Sequence, residues 1–529
     1  MLLIGGAVVV GIIVLFLLTQ RKPADSMASF MPANTAMYFH VDLNELTSEE
    51  MQEITAAFQT ASGEEVTEGE PGAFQLQIEG ALGLDYAEHI EPWLGSQLGA
   101  GVLDMSADSL SGGDMDGNFI VVIESRDAAA ADAFLDELAA SAEQDGHTVT
   151  SSEVQGVRFI EMGADSDIPA AAQGKGVVMF ADSAATIENA LVLKAGDSLG
   201  SLPDFSQTVG DLAAGRLATV YLNLAELPQD LGDVTSGITD AYASALESAS
   251  VALGASIVPA GIQLEYVLNV DEAQLPAATL ATLKAASEPI TTIERYPEDT
   301  ILFLGTNTTG FSPEAMREGM GEEAYQDYVE SIDALSATAG IDFGNLLSAL
   351  DGEFSLGVFG QQTGVGAFTG GFGLQILVTT SQDAALASFF AELTPLVGEQ
   401  MDVVPEPRTI ANMASYVVPS PFGGELLAYG SGSGLGYLTT NAELVEASQD
   451  PGFTSFADSD AFQRIRDAVG SNGHPVFYLD LTALLTLAQT AGMAADELSA
   501  ISPLTSIAGA VEPFQNGTLR GVFIAFIDR

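Results

Sequence analysis

Chemistry near neutral pH needs a nucleophile with a base, a metal, or paired acids with separated pKa values. The chain has no cysteine, which excludes thiolate nucleophiles, disulfides, Cys-ligated zinc and iron–sulfur clusters. Its four histidines, His40, His89, His147 and His474, are scattered, with no HExxH pattern, and read as surface or strand residues. Asp114-Met115-Asp116-Gly117-Asn118 resembles the start of a calcium loop. Such a loop ends in a bidentate Glu, whereas the chain runs straight into Phe119-Ile120-Val121-Val122; a tight Asp-Gly turn is expected instead. The Gly-Ser run Gly430–Gly436 holds neither a Walker lysine nor a G-x-S-x-G elbow and reads as a loop. Gly174-Lys175-Gly176 lacks the remainder of a P-loop. Asp or Asn at three strand ends (Asp42, Asn223, Asp480) has the spacing of a helix cap rather than of a shared metal site. No catalytic, cofactor-binding or metal-ligating residue is therefore assigned, and no cofactor is implied. Paired carboxylates remain the one open route. Glu322-Glu323 is such a pair, but among 73 acids a pair means little. Asp85 and Asp342 are the best probes of that route, because they recur in one setting.

The elements that would position these groups fall into a soluble region and an apolar leader. Across 529 residues, 73 acids face 15 bases, for a net charge of -58. With 47% hydrophobic residues the chain folds rather than forming a disordered acidic tail. That field repels phosphate backbones, so nucleic-acid binding is excluded. It also repels anionic headgroups, so membrane attachment must come from an apolar segment. The scarcity of lysine (Lys22, Lys175, Lys194, Lys284) is consistent with adaptation to salt or with an ordinary acidic envelope protein.

Leu2 to Leu18 carries no charge and no proline, and Gln20, Arg21 and Lys22 follow as a polar stop. As a helix this run is ~26 Å long, against a ~30 Å hydrocarbon core. An uncleaved single-pass anchor through residues 2–18 is expected, with a cleaved signal peptide as the rival reading. Read literally, the basic flank would keep the acidic bulk in the cytoplasm. A basic stretch upstream would reverse this, and an extracytoplasmic soluble region is the expectation. Ser250–Val270 is apolar too, but Pro259, Gly261 and Glu265 interrupt it, and it reads as a β-hairpin.

Internal repetition organises the rest. Gly83-Leu84-Asp85-Tyr86 recurs as Gly340-Ile341-Asp342-Phe343, offset 257 (340 − 83). Ser125-Arg126-Asp127-Ala128-Ala129 recurs as Ser381-Gln382-Asp383-Ala384-Ala385, offset 256 (381 − 125). Val220-Tyr221-Leu222-Asn223-Leu224 recurs as Phe477-Tyr478-Leu479-Asp480-Leu481, offset 257 (478 − 221). The expected division is an anchor over 1–22, a linker over 23–30, and α+β repeats over 31–288 and 289–529. The helical Ala277–Ser287 marks the join, and the polar stretch Ser62–Pro71 absorbs a longer offset at the opening strands.

Within a repeat, Met37, Phe39, Val41 and Leu43 alternate with Tyr38, His40 and Asp42, the period-2 mark of a half-buried strand. Phe119–Glu124, Val157–Met162 and Gly176–Phe180 read as further strands. Ser125 and Ser183 read as helix caps, the first ahead of a face made of Ala131, Phe134, Leu135 and Leu138. Strands in runs, interrupted by helices without regular βαβ alternation, predict α+β halves with largely antiparallel sheets and packed helices.

The apolar run from Leu2 to Val10, the short linker, the opening strand Pro32-Ala33-Asn34-Thr35-Ala36-Met37-Tyr38-Phe39 and the duplicated halves together resemble a known family. These are the bacterial membrane proteins catalogued as domain of unknown function 3352. The resemblance covers nearly the whole chain and implies a bacterial, envelope-associated protein; it carries no activity and no site residues. The expected function is a non-enzymatic envelope module that binds a partner or has a structural role. Alternatives are a carrier or sensor holding a small apolar ligand between sheet and helices, and a carboxylate-dependent hydrolase. The expected partners are the bilayer through residues 2–18 and an unidentified protein or small apolar ligand.

Overall fold

The computed structural model describes residues 25–43, 51, 53, 54, 56, 57, 79, 84–103, 118–226 (without 155, 164, 165, 167 and 195), 249–311, 313–360, 371–420, 424–490 and 501–528. The apolar run 2–18, the stretch Ser62–Pro71 and the Asp114–Gly117 part of the calcium-like turn lie outside the described residues. Among the described residues no helix is long and apolar enough to cross a membrane. The chain forms two compact units, which divide between Asn269 and Val270.

The first unit carries β1 (Met37–Asp42), β2 (Leu94–Val102), β3 (Phe119–Ser125), β4 (Thr150–Val154), β5 (Val157–Glu161), β6 (Ala170–Gly174), β7 (Val177–Ala181), β8 (Ala218–Asn223), β9 (Ser250–Val258) and β10 (Gly261–Asn269). They pair, all antiparallel, in the order β10-β9-β8-β1-β2-β3-β7-β6-β5-β4. The second carries β11 (Thr300–Asn307), β12 (Glu353–Gly360), β13 (Phe372–Thr379), β14 (Glu406–Ile410), β15 (Met413–Pro419), β16 (Glu425–Gly432), β17 (Leu435–Thr439), β18 (His474–Asp480), β19 (Leu504–Val511) and β20 (Thr518–Ile527). Their order, again all antiparallel, is β20-β19-β18-β11-β12-β13-β17-β16-β15-β14. Each strand of one unit thus has a counterpart at the same place in the other, and Tyr221 on β8 and Tyr478 on β18 hold equivalent positions.

Helix packing follows the sequence periodicity. Ala128–Gln144 buries Ala131, Phe134, Leu135 and Leu138 against Trp93, Ile160 and Phe180. The Trp93 and Phe134 rings lie 5.0 Å apart, and the indole N–H donates to the His89 carbonyl at 2.9 Å, so the largest core side chain keeps no orphan donor. In the second unit Asp383–Met401 lays Leu386, Phe389 and Phe390 on Val418 and Tyr429.

Two local expectations need correction, and one strand fixes a face that its alternation left open. Ser125 does not cap the helix after β3, because it is still in the strand, its N–H donating to the Gly176 carbonyl. The cap is Asp127, whose carboxylate accepts from the N–H groups of Ala129 and Ala130; Ser183 does cap Ala184–Leu191 through the Thr186 N–H. The run Gly430–Gly436 is not a loop but a hairpin of β16 and β17, with only Ser433 and Gly434 turning at positive φ. Its glycines answer to packing: a Cβ on Gly430 would lie 2.4 Å from the Ala414 carbonyl oxygen, and one on Gly436 2.2 Å from Leu386 Cδ2. Finally, the more buried face of β1 is the one bearing Tyr38, His40 and Asp42, while Met37, Phe39 and Val41 are only half-buried.

Candidate functional site

Strand β1 leads to the site. Register places Gly101, Tyr38, Tyr221, Ala252 and Val267 in one row across β2, β1, β8, β9 and β10. This row is apolar, and Phe205 packs edge-on against both tyrosines. The next row is Gly99, His40, Thr219, Gly254 and Glu265, and beyond it stand Asp42, Ser256 and Gln263. His40, Asp42, Thr219, Ser256, Gln263 and Glu265 are all buried, Asp42 to 2% exposure. One face of the sheet therefore passes from apolar to polar within two rows.

Two glycines admit the groups that cover the polar row. A Cβ on Gly99 would lie 2.5 Å from Met27 Cβ, so the short helix Met27–Phe30 closes directly on the strand. Asp25 starts that helix: its Oδ1 accepts from the Met27 and Ala28 N–H groups at 3.1 and 3.2 Å and from the Tyr38 hydroxyl at 2.7 Å. The same atom lies 3.7 Å from His40 Nε2. A Cβ on Gly254 would lie 2.8 Å from Arg216 Cδ, so that side chain crosses the sheet there. Arg216 donates from Nε to Thr219 Oγ1 at 3.2 Å and from Nη1 to the Leu212 and Ala213 carbonyls. Glu265 accepts from the Ala213 N–H and the Gln263 amide.

Beside these groups lies a half-open cavity of roughly 360 Å³, lined by Asp25, His40, Asp42, Arg216 and Thr219 and on its apolar side by Val209 and Leu212. Asp25 Oδ2 and His40 Nε2 are buried and find no hydrogen-bond partner among the described residues. A buried polar atom left unpaired costs about 1–3 kcal/mol, more if charged. Burial, and then the Asp25 charge and hydrogen bond, hold the Tyr38 phenol well above its ordinary pKa, so it stays a donor. Burial lowers the Arg216 pKa, while the Glu265 and Asp25 carboxylates act in the opposite direction; a guanidinium stays charged throughout the neutral range.

The second unit shows what this sheet needs in order to close. Phe303 pairs with Tyr478 as Tyr38 pairs with Tyr221, so Gly305 holds the place of His40 and Asn307 that of Asp42. Thr291 and Thr292 donate to the Glu353 carboxylate as Ser26 donates to the Gln97 amide oxygen. Ile290 precedes the first pair as Asp25 precedes Ser26. By the β19 and β20 register Val522 holds the place of Glu265. A Cβ on Gly305 would lie 2.8 Å from Ile290 Cγ2. The same scaffold closes there on an apolar contact, so the charged groups of the first unit are not a requirement of the fold.

The residues singled out in the sequence mostly lie elsewhere. Asp85 Oδ1 accepts from the Glu88 N–H, and Asp342 Oδ1 from the Gly344 and Asn345 N–H groups; each opens a helical segment. Asp480 caps the following helix through the Ala483 N–H, and Asn223 Oδ1 accepts from the Ala225 N–H. Asp42 alone of the three strand ends lines the cavity. His40 is a strand residue but no surface one. Glu322 lies in an exposed helical turn against Arg317. No sequence motif marks Asp25, Arg216 or Glu265 as site residues.

The model of a family described as "Protein of unknown function (DUF3352)" matches residues 1–524. No curated protein matches the chain. Two solved structures, crystal forms III and I of TP0453, share 10% identity with it. Their TM-scores are 0.25 and 0.24, covering 51% and 50% of this chain and 90% and 84% of theirs.

Proposed function

The chain belongs to the DUF3352 family of proteins of unknown function, and we propose that it is a non-enzymatic binding module held at a bacterial membrane by residues 2–18. In this reading the acidic region lies outside the cytoplasm, the two units descend from one by duplication, and the ligand site is the polar cavity of the first. One observation carries the site: Asp25 Oδ2 and His40 Nε2 stand buried and without a hydrogen-bond partner at a cavity wall, where the second unit has Ile290 and Gly305. Buried charge without full pairing destabilises a fold, and it persists here although the scaffold closes without it. The charged groups at this wall favour a ligand with a polar end, while Val209 and Leu212 offer apolar surface beside it. The equal strand orders and the sequence offsets of 256 and 257 (381 − 125 and 340 − 83) support the duplication.

The test uses the full-length chain in detergent and an Ala214→Trp variant. Ala214 is exposed at the cavity wall, so an indole there obstructs the mouth without entering the core. In a thermal-shift panel of small polar solutes, at least one should raise the Tm of the native chain and not that of the variant. A ligand at a hundred times its Kd stabilises by about 2.7 kcal/mol. Equal responses from the two proteins, or none from either, would overturn the reading. Turnover of a bound solute, lost on Asp25→Asn with folding intact, would replace it with the carboxylate hydrolase.

A further inference from the structure

Resting on that binding reading, we infer that the cavity takes a small primary ammonium with a short alkyl chain. Two acids, Asp25 and Asp42, line the cavity beside one guanidinium, Arg216, and a third, Glu265, is buried in the same strand row as His40. Arg216 already spends Nε on Thr219 and Nη1 on two backbone carbonyls. The local balance is therefore negative, which disfavours anions. Of the atoms left without hydrogen-bond partners, Asp25 Oδ2 takes a donor, and His40 Nε2 takes one in the tautomer that leaves Nε2 unprotonated. An ionised Asp25 offers Oδ2 only as an acceptor, and the neutral imidazole of His40 can accept at Nε2 when its proton sits on the other nitrogen. His40 is 8% exposed and lines the cavity, so the acidic groups are not simply a solvated patch. An ammonium carries three donors, enough to satisfy both atoms with one to spare.

The remaining wall fits the rest of such a ligand. Val209 and Leu212 supply apolar surface beside the charged end. The volume of roughly 360 Å³ is near the lower end for ligand sites, which suits a small molecule. A metal ion fits less well, because no three His, Asp or Glu side chains come together in a metal-holding group among the described residues. The net charge of -58 raises the local concentration of cations around the whole chain.

The experiment is calorimetric titration of the full-length chain with four probes: n-propylammonium, tetramethylammonium, 1-propanol and propionate. n-Propylammonium should bind. Tetramethylammonium, which has charge but no N–H, and the neutral and anionic probes should bind at least about tenfold more weakly, the worth of one charge-assisted hydrogen bond. Asp25→Asn should weaken n-propylammonium by about the same factor. Because Asp25 also caps a helix, a second variant, Asp25→Ile with His40→Gly, copies the pair that closes the second unit; it should fold and lose the binding. Equal binding of tetramethylammonium would overturn the donor argument, and so would undiminished binding to the double variant. Binding of 1-propanol alone would overturn the ammonium class while leaving the cavity a ligand site. No heat from any probe would overturn the inference, and the Ala214→Trp comparison would then decide the binding reading by itself.

Discussion

Two carboxylates show how differently the same group can be used. At Asp351 burial acts to raise the pKa, but hydrogen bonds from the Ser381 hydroxyl and N–H and from Thr380 outweigh it, and the net shift is downward from 3.8. A depressed folded-state pKa contributes stability that is complete above the unfolded value, about 3.9, and is lost as pH falls through the folded one. Asp351→Asn should therefore lower the Tm at pH 7 and by clearly less at pH 3; an equal loss at both values would show that the charge is irrelevant. Asp25 differs in that its partners use one oxygen and leave the other unpaired in a cavity. Nothing local announces this. Asp25 reaches His40 only because a helix start folds onto β1, and Ser26 bonds Gln97 from 71 residues away. Glu265 did leave a trace, as the charge that interrupts the apolar stretch Ser250–Val270. That interruption marks a buried acid on a strand face, and it is a signal a sequence reader can use.

Elements with one dominant period were legible; those shaped by close approach were not. The face Ala131, Phe134, Leu135 and Leu138 follows from helical spacing alone. The Gly430–Gly436 hairpin resembles a loop in sequence because glycine-rich composition looks alike in a turn and in a strand on which a helix packs tightly. Strand β1 was legible as an alternating strand but not in its orientation: alternation gives two faces, and apolar content does not say which lies deeper when a polar face is covered by a charged cavity. Gly254 belongs to this class. An alanine there would put its Cβ 2.8 Å from Arg216 Cδ and 3.3 Å from Leu212 Cδ1. Gly254→Ala should cost about 1–3 kcal/mol as an overpacked site and weaken ligand binding by displacing Arg216. Gly210→Ala, whose Cβ would meet nothing within 4 Å, should change stability by no more than about 0.5 kcal/mol. Urea melts followed by Trp93 fluorescence would compare them, since that single tryptophan is buried in the first unit. Equal effects of the two substitutions would show that the close approach at Gly254 is not limiting.

For the whole molecule, charge outweighs every individual pair. The ion pairs among the described residues, such as Arg158–Asp136 and Arg317–Glu322, involve at least one partly solvated side chain, and exposed pairs contribute about 0–1 kcal/mol each. Fifteen bases cannot offset 73 acids by pairing, so most carboxylates repel one another through solvent. The screening length falls from about 10 Å at 0.1 M salt to about 3 Å at 1 M, which removes most of that repulsion and little of the hydrophobic burial. Sodium chloride raised from 0.1 to 1 M should therefore raise the Tm reported by Trp93 by at least about 3 °C, the equivalent of roughly 1 kcal/mol in a domain of this size. Calcium chloride at equal ionic strength separates screening from site binding: an equal rise means screening alone, and a larger one means that carboxylates hold divalent ions specifically. A Tm that stays flat or falls in sodium chloride would mean that self-repulsion does not limit the fold. The charge excess would then need a different cause, such as keeping copies of the chain apart at a crowded membrane surface.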